Sequence, residues 1–166
     1  MAADGSGLDI EVVDWSDPRA IALRGAMDAE TGLMYADFTR DQSVEVQAAI
    51  DAVLTVDPAT ILVAVIAVKD GVPLGHAALR PYGADLEVKK VFVAAETRGT
   101  GVARALLAWL EEYAMQRGVA SLVLQTGPLQ LDAIALYEKI GYEPIAPYGG
   151  YGVIPGALCY RKVLAA

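Results

Sequence analysis

The stretch ETRGTGVARALLAWLEEYA, Glu96–Ala114, sets Gly99 and Gly101 directly ahead of an amphipathic run. Before it stands LEVKKVFV, Leu86–Val93, which reads as a strand, and after it SLVLQ, Ser121–Gln125, a short buried-type strand. A strand that turns through two glycines into a helix over 101–117 and returns as a second strand predicts a parallel crossover, right-handed as such connections are. The helix start has its own chemistry. Without Cβ atoms at 99 and 101 the backbone N–H groups there can face a ligand. The first-turn amides lack helical partners, and with the helix dipole they form an anion site best matched by phosphate.

The remaining pattern sets this unit in a mixed α/β sheet. Leu8–Val13 reads as a first strand, and Asp17 with Pro18 opens a helix running to about Glu30. Gly32–Gln42 is ambiguous between helix and loop. Ser43–Leu54 reads as a second helix, with Val46, Ala49, Ile50 and Val53 on one stripe. Ile61–Val68 and Val72–Leu79 flank Lys69-Asp70-Gly71, a strong hairpin signal. Asp132–Ile140 reads as a helix closed by Gly141, and the chain ends in a strand region reaching Ala157–Val163.

At 166 residues this suits one domain, residues 1–166, with enough chain for a substantial core. The chain is 55% hydrophobic with a mean hydropathy of +0.38, which argues against disorder. Its longest apolar run, Ile61–Val68, is strand-length, so no membrane span is expected. The opening MAADGSGLD has neither a basic start nor an apolar stretch, and the one cysteine, Cys159, allows no internal disulfide; both fit a cytoplasmic setting. A net charge of −8 argues against nucleic acid and anionic lipid as partners.

Three phosphate-binding designs compete for the glycine segment. A P-loop needs Gly-Lys-Ser/Thr, and here Val102-Ala103-Arg104 follows Gly101. A dinucleotide site needs a third glycine where Arg104 stands and an acidic residue after the next strand, which ends in Gln125-Thr126-Gly127. The third design is an acyl-coenzyme A site. Arg98-Gly99-Thr100-Gly101-Val102-Ala103 resembles the R/Q-x-x-G-x-G/A signature of the GNAT superfamily of acyl-CoA-dependent N-acyltransferases. The preceding strand stands at that family's spacing, and Ala133–Tyr142 (AIALYEKIGY) is similar to its A-I-x-L-Y-E-K-x-G-F/Y segment. Gln130 departs from the asparagine of many members. The close similarity covers about Leu86–Gly150.

The resemblance implies a GNAT fold, a central mixed sheet flanked by helices and splayed at the acyl-CoA site. It also implies acyl transfer, most simply of acetyl from acetyl-CoA, to a primary amine of a small molecule or peptide by direct attack, with no metal. Pyrophosphate would rest on the amides from Gly99 to Ala103, with Arg98, Thr100, Val102, Arg104 and Lys139 around it. The pantetheine arm, a peptide-like chain, would pair as an added strand with the backbone at Val91 and Val93.

Amide formation from a thioester requires a neutral amine and a proton for the departing thiolate. Tyr137 matches the tyrosine with which many members protonate the thiolate. Strand alternation puts Glu87, Lys89, Val91 and Val93 on one face, and Glu87 stands where some members carry a base, acting directly or through water; the alternative is a solvated or lysine-paired carboxylate. His76 reads as a structural histidine and Cys159 as a buried, inert thiol. Tyr148, Tyr151, Met34 and Tyr35 are candidates for the acceptor's surroundings, and the acidic balance favours a cationic acceptor. A homodimer is open to the chain. Two rivals stand beside the enzyme: a non-catalytic acyl-CoA-binding or sensor domain on the same fold, and a nucleotide-dependent oxidoreductase, weakened by the missing glycine and acid.

Overall fold

The computed structural model describes residues 7–164; the opening MAADGS and the last two residues, which the one-domain reading includes, lie outside the described residues. Its strands are β1 (Leu8–Val13), β2 (Val63–Lys69), β3 (Val72–Tyr82), β4 (Asp85–Val93), β5 (Ser121–Thr126), β6 (Glu143–Ile145) and β7 (Leu158–Val163). They form one sheet in the order β1-β2-β3-β4-β5-β7-β6. Every pairing is antiparallel except β4 with β5, the parallel step that the glycine–helix crossover predicts. The helices are α1 (Pro18–Met34), α2 (Ala36–Arg40), α3 (Val44–Leu54), α4 (Val102–Gln116) and α5 (Leu131–Lys139).

Local chemistry accounts for most boundaries. The Asp17 carboxylate accepts from the Arg19 amide at α1, and the Ser43 hydroxyl from the Val46 amide at α3. Asp70 and Gly71 both take positive φ, 52° and 78°, as the Asp-Gly hairpin requires. Two boundaries differ from the sequence reading. Helix α1 runs on through Gly32 to Met34, and α2 fills the rest of the ambiguous stretch; a single glycine weakens a helix without ending it. Strand β3 extends to Tyr82, because Gly83 at φ 56° turns the chain straight into β4 as a second hairpin.

The two faces of the sheet carry separate cores. Val63, Val65 and Ala67 of β2 join Ala77 and Leu79 of β3 and Leu86 and Val88 of β4 beneath α4, whose Val102, Leu106, Leu107 and Leu110 are buried. Ile66 and Val68 point the other way, onto Ala20 and Leu23 of α1, with Phe92 of β4 alongside. Helix α4 seats closely because position 75 is glycine: a methyl there would stand 2.9 Å from the Phe92 carbonyl oxygen and 3.0 Å from Leu106 Cδ1. Among the described residues no helix is long and apolar enough to cross a membrane.

Candidate active site

Strands β4 and β5 pair only at Leu86–Leu122 and Glu87–Val123. From Val88 onward β4 has no partner on that side, so the sheet is splayed as the family resemblance implies. A cleft of about 960 Å³ opens there, bounded by the end of β4, the glycine segment, α1 and α5. Val91, Val93, Arg98, Gly99, Gly101, Val102, Ala103, Arg104, Lys139 and Tyr137 all line it, as does Met34. Thr100 does not; its hydroxyl folds back onto the Thr97 carbonyl at 2.5 Å.

The glycine segment fits a phosphate group on conformational grounds. Gly101 caps α4 in the left-handed region, φ 90°, with no side chain capping the helix, and Gly99 has φ 78°. A methyl built on either would meet no atom of the described residues within 4 Å, which leaves space in front of them for a ligand. The first bond of the helix is Ala105 N–H to the Gly101 carbonyl, 3.0 Å, which leaves the amides of Val102, Ala103 and Arg104 without helical partners. Arg104 and Lys139 take part in no ion pair among the described residues. Arg98 is engaged within the protein: Nε donates to the Val93 carbonyl (3.1 Å) and Nη2 to Glu30 of α1 (2.6 Å), tying the loop to both walls. Gln130, the family departure, accepts from the Gly127 amide at 3.0 Å and closes the loop before α5.

Tyr137 is 6% exposed, packed between Tyr142 and Tyr160 at ring separations of 5.7 and 6.3 Å. Its hydroxyl makes no hydrogen bond among the described residues. Burial pushes its pKa above the ordinary phenol value, so it keeps its proton.

Glu87 stands elsewhere, and the alternation that put it with Val91 is corrected. Ala78 pairs with Lys89 and His76 with Phe92, so Lys90 and Val91 together oppose Ala77: a β-bulge, with Lys90 at φ 54°. The extra residue swaps faces. Val91 and Val93 pack on the α4 core with Val88, whereas Glu87 and Lys89 face the other side. There Glu87, 1% exposed, accepts from Arg80 Nε at 2.6 Å, from the Tyr148 hydroxyl at 2.6 Å and from the Tyr151 hydroxyl at 2.8 Å. Lys89 Nζ donates to the Tyr151 hydroxyl at 2.8 Å, and burial pushes its pKa down to about 8. Burial and the neighbouring carboxylate raise both tyrosines above their usual range.

Sequence reasoning did not single out Arg80 or join Tyr148 and Tyr151 to Glu87. The available signal was two opposite charges, Arg80 and Glu87, at facing positions of one hairpin. Tyr35 sends its hydroxyl to the Leu129 amide at 3.1 Å, bridging α1–α2 to the loop before α5. His76 is fully buried and hydrogen-bonded at both ring nitrogens, as a structural histidine is. Cys159 is buried, its thiol pushed up by burial. Among the described residues no group of three His, Cys, Asp or Glu side chains could hold a metal ion.

Residues 26–142 match the sequence profile of the acetyltransferase (GNAT) family. An IAA acetyltransferase of Azospirillum brasilense is 39% identical over 90 residues, 54% of this chain and 59% of that protein, so the match spans less than two thirds of the relative. Among solved structures, a Klebsiella pneumoniae protein provisionally described as an acyl-CoA N-acyltransferase superposes with a TM-score of 0.74 at 29% identity, covering 95% of this chain and 98% of the other. The PaiA N-acetyltransferase of Thermoplasma acidophilum, solved with coenzyme A, gives 0.67 at 16% identity over 94% and 98%, a likeness of fold.

Proposed function

The chain belongs to the GNAT family of acyl-CoA-dependent N-acyltransferases, and from that premise we propose that it transfers acetyl from acetyl-CoA to a primary amine of a small molecule or peptide, by direct attack. The observation that carries this is the cleft itself. One wall is an open glycine cradle at a helix start, and the same cleft holds the unengaged hydroxyl of Tyr137. When bound, acetyl-CoA supplies a thioester whose carbonyl is activated toward an amine.

The chain's residues have separable tasks. The amides from Gly99 to Ala103 hold pyrophosphate, with Arg104 and Lys139 as the uncommitted cations nearby. The backbone of Val91 and Val93, released from β5, pairs with pantetheine. Arg98 keeps the loop seated on Val93 and Glu30, and Thr100 serves the loop through Thr97. Tyr137 gives its proton to the departing sulfur. For Glu87 the saturated carboxylate favours a relay over direct abstraction: half-buried Tyr148 accepts the acceptor's proton and passes its own to Oε2. Residues 1–166 as one domain and a cytoplasmic setting belong to the same reading, the former supported by a single sheet from β1 to β7.

A non-catalytic coenzyme sensor is the second reading, favoured by the burial of Glu87 in its own network. Presenting a panel of amines with acetyl-CoA while following free thiol decides between them. Amine-dependent thiol release supports the enzyme, and tight coenzyme binding with no release from any amine supports the sensor.

A further inference from the structure

Lys90 and Asp70 are the two non-glycine residues with positive φ among the described residues, and Asp70 sits in a tight hairpin turn. Lys90 is in mid-strand, where a left-handed residue with a Cβ is unfavourable and needs outside support. It has no Cα partner across β3. Its carbonyl is taken instead by a side chain: His76 Nδ1 lies 2.8 Å away, from the strand beside it. On the other side of the ring, Nε2 lies 3.1 Å from Arg24 Nη1 of α1. A guanidinium can only donate, so Nε2 accepts and the ring's one proton is on Nδ1, donating to Lys90.

Arg24 is held in turn. Its Nη2 donates to the Trp15 carbonyl at 2.5 Å and its guanidinium lies 3.7 Å from the Trp15 ring centroid, while Trp15 meets His76 edge-on at 5.7 Å. The chain Trp15–Arg24–His76–Lys90 thus runs from the β1–α1 loop through α1 and β3 to the bulge. Lys90 Nζ adds an ion pair with Asp28 of α1 at 3.5 Å.

We infer that His76, oriented by Arg24, is a positioning residue: it holds Lys90 left-handed and so determines which edge of β4 faces the cleft. Were the bulge to relax into regular pleating, Val91 and Val93 would turn to the side of Glu87. The backbone they present at the splay would turn with them. The consequence for coenzyme affinity rests on the proposal that pantetheine pairs with Val91–Val93; the lock itself does not.

Amide exchange in the ligand-free protein reads the lock directly. His76→Phe keeps a ring and loses both bonds, and is expected to speed exchange by about tenfold at Phe92, which pairs with position 76, and at Ala94, whose N–H donates to the Leu74 carbonyl at 2.8 Å. Lys90→Gly in the same background should restore slow exchange, since glycine takes positive φ unaided. His76→Asn, with an amide donor where Nδ1 stands, should remain close to the parent. Calorimetric titration with coenzyme A then reads the consequence, a loss of about tenfold in His76→Phe that Lys90→Gly reverses. Unchanged exchange at Phe92 and Ala94 in His76→Phe overturns the lock. So does a double variant no better than the single, for His76 would then matter through packing alone. If His76→Phe does not fold, Arg24→Gln with and without Lys90→Gly gives the same comparison. A parent protein that binds no coenzyme A would refute the pantetheine reading, while the exchange data would still decide the lock.

Discussion

Glu87 and Val91 lie on opposite faces of β4, although regular pleating would set them on the same one. The extra residue in the bulge separates two chemistries along one strand. Toward α4 and α5 lies the cleft with its glycine cradle and Tyr137. On the other face Glu87 is fixed between Arg80, Tyr148 and Tyr151. A cosubstrate entering from the first side and an acceptor approaching from the second would meet at the splay between β4 and β5.

Gly101→Val tests the cradle. At φ 90° position 101 is strained for any side chain, and a β-branched one in open space would project toward the phosphates. Coenzyme A affinity should fall by at least about tenfold, roughly 1.4 kcal/mol. Calorimetry on the folded variant reads it; an unchanged affinity would remove the pyrophosphate from Gly99–Ala103.

Much of this site was legible from sequence because its signals are local. Gly99 and Gly101 before α4, and the segment ending in Gly141 and Tyr142, mark positions where backbone conformation leaves little choice. The strand Leu86–Val93 was equally legible, but not its faces. Parity along a strand assumes unbroken pleating, and the bulge depends on His76, distant in sequence and itself held by Arg24, donating to the Lys90 carbonyl. The Glu87 network escaped for the same reason, since Tyr148 and Tyr151 reach it from the far end of the chain.

Tyr137→Phe isolates the proposed proton donor. The ring packs against Tyr142 and Tyr160, and the hydroxyl has no partner among the described residues to lose. Stability and coenzyme affinity should therefore stay near the parent's, while turnover falls by about 10² or more. Equal turnover in a thiol-release assay would withdraw the assignment.

Glu87→Gln keeps the shape of the side chain but removes the charge facing Arg80, so a loss of about 1–3 kcal/mol in denaturant stability is expected whatever its role in the reaction. Tyr148→Phe separates the roles, because it breaks the relay and leaves the Arg80–Glu87 pair intact. If the relay operates, kcat of Tyr148→Phe falls most at low pH, where the acceptor is an ammonium, and recovers as pH rises. A change confined to KM and erased by salt points to electrostatic attraction of the acceptor instead.

His76 is the chain's only histidine, so its ring can be followed without ambiguity by nitrogen-detected magnetic resonance. The Nδ1–H tautomer is expected, with the proton on the nitrogen facing the Lys90 carbonyl. Burial, with the charges of Arg24 and Lys90 adding to it, pushes the imidazole pKa down to about 4 from 6.5, against the Lys90 hydrogen bond, which raises it. Between those values the unfolded chain binds a proton that the folded one does not, so stability rises with pH across this window and is lost as pH falls from 6.5 toward 4. The full effect is on the order of 3 kcal/mol. Denaturant unfolding at steps from pH 7 to pH 4 should show that slope in the parent and a shallower one in His76→Asn, which has no imidazole to charge. A ring that titrates near 6.5, or an Nε2–H tautomer, would contradict the bonding assigned to Arg24 and Lys90.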